Sequence, residues 1–124
     1  MTDYRTPISK VRGLGAAKSG VGHFIGQRLS AIALFLLLPV FLVAVALNSG
    51  SLDAIYALFS SPLGAILTLA TLTAAIYHMR LGLQVVIEDY IHKPASKLTL
   101  LALNTLLCAA LWIAALYSIL RIAA

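Results

Sequence analysis

Three long apolar runs separated by short polar breaks dominate the pattern along this chain. The first extends from Leu29 to Ser51 and is apolar throughout residues 31–47, with Pro39 near its middle. The second covers Ala54 to Met79 and, after Arg80, continues apolar from Leu81 to Ile87. The third, Leu98 to Leu120, is bracketed by Lys97 and Arg121. Each reaches the ~20 residues that a helix needs to cross ~30 Å of hydrocarbon. The pattern predicts an all-α integral membrane protein with three transmembrane helices, spanning about 29–48, 62–88 and 98–120. Residues 1–27 read as a basic, glycine-containing tail and residues 28–124 as one three-helix membrane domain.

Local signals sharpen these boundaries. Asn48-Ser49-Gly50-Ser51 breaks the first helix, and the apolar positions 52, 55, 56, 58 and 59 then suit a short helix lying in the interface. Ser61-Pro62 is a helix start, a capping hydroxyl followed by proline at the first helical position. Pro94, preceded by His92 and Lys93, is expected to stop the second helix, and Pro39 to kink the first. Ala44-Val45-Ala46 imitates a signal-peptide cleavage site, but the apolar core before it is too long and starts too late for a secretory leader.

Composition supports a bilayer as the solvent. Apolar residues make up 61% of the 124 and charged residues only 10%, too few to coat a water-facing surface. The formal charge of +5 does not mark a nucleic-acid binder, because five of the nine cations (Arg5, Lys10, Arg12, Lys18, Arg28) lie in the first 28 residues. Lys93 and Lys97 fall between the second and third spans, and none lies between the first and second. The positive-inside rule then puts the N-terminus in the cytoplasm and the C-terminus in the periplasm. The tail's glycines from Gly13 to Gly20 match neither a Walker loop nor a dinucleotide fingerprint, so a flexible tail on anionic headgroups or a soluble partner is expected. Cys108, the single cysteine, excludes an intrachain disulfide.

The second span carries the polar information. Gly64, Thr68, Thr71, Ala75, His78 and Gly82 recur in steps of four and three and line one face, which continues to Val85 and Asp89. Small side chains on one stripe let a helix or a flat cofactor approach the backbone. His78 falls about 4.5 Å to the cytoplasmic side of the span's midpoint, and Gly82 leaves room beside it. Two roles suit it: an interhelical hydrogen bond, or ligation of a haem iron by a neutral imidazole. His23 and His92 lie near the cytoplasmic boundary, so a second axial ligand would come from a partner chain. Arg80 points ~200° away from His78 and is expected to snorkel toward the cytoplasmic headgroups, sharing with Gln84 a face open to a partner protein. Glu88-Asp89-Tyr90 sits where the helix leaves the hydrocarbon, as an interfacial cluster or as a hydrogen-bonding site for a quinone carbonyl. Arg28 is a topological anchor that could equally pair with a haem propionate.

His78, three residues, Gly82, six residues, Asp89-Tyr90, then Ile91-His92 resembles the signature of the hydrophobic membrane-anchor family of succinate dehydrogenase, respiratory complex II. Ser19 to Ala31, including Arg28, is similar to that family's entry into its first helix. The resemblance implies that His78 is one axial ligand of haem b, shared with the cytochrome b556-type membrane partner of the same complex. It implies that Tyr90 hydrogen-bonds ubiquinone beside the iron–sulfur subunit, with Asp89 positioning that site and Arg28 near the haem propionates. The chain would then be a non-catalytic subunit anchoring the flavoprotein and iron–sulfur subunits, in a bacterial inner membrane because no transit peptide is seen. A cofactor-free three-helix scaffold or assembly protein, and the related fumarate reductase anchor, are the alternative expectations.

Overall fold

The computed structural model describes Ile8 and residues 20–123. The glycine-rich stretch before Gly20 and the cations Arg5, Lys10, Arg12 and Lys18 lie outside the described residues. Four helices follow in order: α1 Gly20–Asn48, α2 Leu52–Ser60, α3 Pro62–Tyr90 and α4 Pro94–Ala123. Of these, α1, α3 and α4 are long and apolar enough to cross a membrane, with 29, 29 and 30 residues. At 1.5 Å per residue each is about 43–45 Å long, so each overruns the hydrocarbon by a turn or two at either end.

The expected breaks have a local chemical cause. Asn48 ends α1 by donating its side-chain amide to the Ala44 carbonyl at 2.9 Å, and Ser49 Oγ donates to the Ala46 carbonyl at 2.8 Å. These bonds add side-chain donors to carbonyls of the last turns, and the Ser49 N–H also donates to the Ala46 carbonyl at 3.3 Å. Ser51 caps α2 by accepting the Ala54 N–H at 3.1 Å. Ser61 does the same for α3 at Gly64 N–H, also 3.1 Å, with Pro62 opening the helix where no N–H is missed. Gly64 is obligatory at this elbow, because a Cβ there would collide with the Leu58 backbone carbonyl.

Two helix boundaries differ from the sequence reading. Pro94 does not stop the second helix: α3 ends at Tyr90, Ile91 caps it by donating to the Ile87 carbonyl at 3.0 Å, and Pro94 opens α4. Proline suits both a stop and a start, and here its fixed φ serves the start. Second, α1 is helical from Gly20, so the tail boundary placed at residue 27 falls within a helix. Residues 20–28 gain helical order by packing on α3, where Gly26 lies against Tyr77 and Leu81 and Gln27 lies near Gly82.

Helix α3 is the middle element. It packs on α1 along one side and on α4 along the other, α2 touches all three, and α1 and α4 do not pack on each other. The polarity is inverted relative to a water-soluble bundle. Buried positions include Ser30, Thr68, Thr71 and Asn104, while Phe35, Leu47 and Leu63 stand about four-fifths exposed. In water such a surface would be one continuous adhesive patch; in lipid it is the solvated face. Thr68 and Thr71 give their hydroxyls to carbonyls one turn back, Gly64 and Leu67, both at 2.7 Å, so neither is an unpaired polar group in hydrocarbon.

The α1–α3 crossing depends on Gly26, where a Cβ would meet the Tyr77 hydroxyl at 2.8 Å and Leu81 Cδ1 at 3.3 Å. Gly26→Val is expected to destabilise the bundle by roughly 1–3 kcal/mol, the ordinary penalty for overpacking. Gly22→Val, where nothing lies within 4 Å of the added carbon, is the control expected to unfold in detergent like the parent.

Candidate functional site

The stripe on α3 meets α1. His78 is half-buried, and its Nδ1 lies 3.0 Å from Ser30 Oγ, which is 6% exposed and also donates to the Gln27 carbonyl at 3.1 Å. An interhelical hydrogen bond is therefore present at His78. It occupies one ring nitrogen only: Nε2 has no hydrogen-bond partner among the described residues. The two roles open to this histidine consequently do not compete for the same atom.

One turn further along α3 the helices part. A cavity of about 450 Å³ is lined by His23, Phe24, Gln27 and Arg28 from α1 and by Gly82 and Val85 from α3. Gly82 makes this space: a Cβ there would approach only Gln27 Nε2, at 4.0 Å. Residues 23, 27 and 30 share one face of α1 by their four-and-three spacing, so the polar side chains of that helix gather on α3. His23 Nε2 and Gln27 Oε1 are buried there with no hydrogen-bond partner among the described residues. Arg28 stands at the rim, its guanidinium 5.2 Å from the centre of the Phe24 ring. The arrangement offers a cation, an open acceptor and a ring nitrogen to a polar group entering from this end. Ser30 and Gln27 were not singled out by the sequence; a polar residue every third or fourth position in an otherwise apolar entry is the signal that marks them.

Arg80 faces the seam between α3 and α4. It lines a cavity of about 450 Å³ there with Thr73, Tyr77, Thr105, Cys108 and Trp112, and its Nε is buried without a partner among the described residues. The same seam is held by two bonds that periodicity did not reveal. Asn104 Nδ2 donates to the Arg80 carbonyl at 3.0 Å, and the Trp112 indole donates to Thr73 Oγ1 at 3.0 Å. Cys108, 3% exposed, sits 3.6 Å from Asn104 Oδ1 as part of this packing. Gln84 is engaged within α3, donating to Glu88 Oε1 at 2.8 Å.

At the end of α3, Asp89 and Tyr90 are both exposed, and Tyr90, 76% exposed, makes no hydrogen bond among the described residues. Lys97 Nζ reaches back from α4 to the Glu88 carbonyl at 3.2 Å, closing the link over residues 91–93. His92 is exposed in that link. Arg28, Tyr90 and the link thus lie at the same end of the bundle, while His78 stands 12 residues, about 18 Å along the helix, from Tyr90. No three of His, Cys, Asp and Glu come together among the described residues.

The family described as the succinate dehydrogenase/fumarate reductase transmembrane subunit matches residues 2–119. A succinate dehydrogenase hydrophobic membrane anchor subunit from Rickettsia bellii is 38% identical over 90 residues, 72% of each chain. Its counterpart in Rickettsia conorii is 33% identical over 109 residues, 86% of each chain. That of Paracoccus denitrificans is 34% identical over 88 residues, 70% of this chain and 68% of its own. With nearly its whole length matched and three membrane-crossing helices in place, the chain belongs to the succinate dehydrogenase/fumarate reductase transmembrane subunit family.

Proposed function

We propose that this chain is the hydrophobic anchor of a bacterial succinate:quinone oxidoreductase, a multi-pass inner-membrane protein without bond-making chemistry of its own. Its work is to hold the flavoprotein and iron–sulfur subunits at the bilayer, to form part of a ubiquinone site, and to provide half of the coordination of a haem b. The observation that carries the reading is the state of His78: one ring nitrogen tied to α1 and the other without a partner, one turn from a cavity lined by Gly82 and Arg28.

The donor set fits a haem. His78 Nε2 would be one axial ligand, with the second from a cytochrome b556-type membrane partner, since no other described histidine lies at that depth. The iron would supply one-electron storage close to the quinone. Gly82 leaves space for the macrocycle edge, and Arg28 at the cavity rim would pair with a propionate. Tyr90 would donate its phenolic hydrogen to a quinone carbonyl at the membrane boundary, beside the iron–sulfur subunit. Asp89, next to it on the same exposed turn, would orient that phenol and the approaching partner.

The tail bias in Lys and Arg puts the Arg28 and Tyr90 end on the cytoplasmic side, where soluble catalytic subunits would dock. Reporter fusions after Gly50 and after Ala124 are expected to report the periplasm; a cytoplasmic signal at either overturns the orientation. The cofactor-free scaffold is favoured by the Ser30–His78 bond, which would suffice as interhelical glue. Purification through a tag on this chain separates the two readings. The anchor reading expects co-purified flavoprotein and iron–sulfur subunits and a Soret band that shifts on dithionite reduction. A stable membrane complex lacking haem and lacking those subunits is the scaffold.

A further inference from the structure

The bond between Ser30 and His78 holds more than two helices together. A serine hydroxyl has one hydrogen to give and two lone pairs to receive. Ser30 Oγ has two neighbours at bonding distance, the Gln27 carbonyl at 3.1 Å and His78 Nδ1 at 3.0 Å. The carbonyl can only accept, so the serine hydrogen belongs to it, as is habitual for serine one turn along a helix. Were that hydrogen given to Nδ1 instead, Oγ and the carbonyl oxygen would face each other at 3.1 Å with no hydrogen between them. With the hydrogen on the carbonyl side, Oγ is an acceptor, and Nδ1 must bring the proton. Ser30 is 6% exposed, so no bulk water offers the ring an alternative partner at that position. The neutral imidazole is then protonated at Nδ1, and its lone pair lies on Nε2.

We propose that Ser30 is the positioning residue for His78, fixing through the relay Nδ1–H to Ser30 Oγ to the Gln27 carbonyl both the tautomer and the plane of the ring that presents Nε2 to a metal. This rests on the haem-ligand reading of His78 and adds to it a residue on a different helix, 48 positions away. A ligating imidazole that donates its other N–H is more basic and better oriented than one that does not. The relay therefore favours the oxidised iron, and its removal moves the haem midpoint potential to more positive values.

The test compares Ser30→Ala and Ser30→Thr in the intact membrane complex, by potentiometric titration of the haem and by electron paramagnetic resonance of its oxidised low-spin form. Alanine deletes the relay with little change in bulk and favours the helix, whereas threonine keeps a hydroxyl that can bond the same carbonyl. Ser30→Ala is expected to retain assembly, shift the potential upward and broaden or move the low-spin signal; Ser30→Thr is expected to restore both. Loss of haem in Ser30→Ala that Ser30→Thr restores supports the same role. Wild-type potential and signal in Ser30→Ala at full haem content overturn the relay while leaving His78 as ligand, and so does a loss that threonine fails to restore. Full low-spin haem in a His78→Ala complex, by contrast, removes the ligand reading itself.

Discussion

Replacing His78 by alanine is expected to cost the complex most of its haem, or to leave a high-spin residue held by one axial ligand, while the chain still inserts. Insertion depends on the three apolar spans, and His78 contributes nothing to their hydrophobicity. The lost Ser30 contact is small, on the order of 0.6–2 kcal/mol for a hydrogen bond between membrane helices. It leaves Ser30 still bonded to the Gln27 carbonyl, so no buried hydroxyl is stranded. The spectrum should therefore change far more than the stability. Interhelical glue predicts the reverse: a looser bundle and weaker assembly, with whatever haem remains unaltered. Haem stain, the reduced-minus-oxidised spectrum and the thermal stability of the purified complex measure the three quantities side by side. Low-spin, bis-histidine haem at full stoichiometry would sink the assignment of His78, unless a replacement histidine were shown to coordinate.

What the sequence made legible was whatever chemistry acts within a few residues. The three spans follow from run length alone, and the Ser61-Pro62 start from a side chain that reaches the backbone three positions on. The stripe on α3 is legible because helical periodicity is local. Contacts between helices are not, since they join residues with no shared period. Ser30 and His78 are 48 apart, Trp112 and Thr73 are 39 apart, and Asn104 reaches a backbone carbonyl that no side-chain pattern encodes. The cavity beside Gly82 is of the same kind, arising because Gln27 and His23 of α1 arrive opposite a residue without a side chain. Arg80 is a further case. Periodicity puts it on a face of α3 away from His78 without saying which element covers that face. The cover itself comes from α4, whose Thr105, Cys108 and Trp112 line the cavity together with Arg80.

Tyr90→Phe is expected to leave assembly and haem intact and to lower quinone reduction by roughly ten-fold, the effect of losing one hydrogen bond of ~1–1.5 kcal/mol. The residue is suited to so clean a test. It is the last residue of α3, 76% exposed, and its hydroxyl makes no hydrogen bond among the described residues, so nothing in the described fold depends on that oxygen. Phenylalanine keeps the ring, and with it any packing of the aromatic edge against lipid or a neighbouring protein. A phenol that only marks the interfacial belt would lose little on this change, because the belt is occupied by the ring as well as by its polar tip. Succinate oxidation by a soluble dye, which bypasses the membrane site, should proceed at the parental rate and serves as the internal control. If the phenol donates to the quinone carbonyl, the loss appears in transfer to quinone alone. Asp89→Asn should reduce the same activity in the same assay if its carboxylate orients the phenol. Equal quinone reductase rates in the parent and Tyr90→Phe complexes would return Tyr90 to the aromatic belt and move the quinone site elsewhere on the anchor.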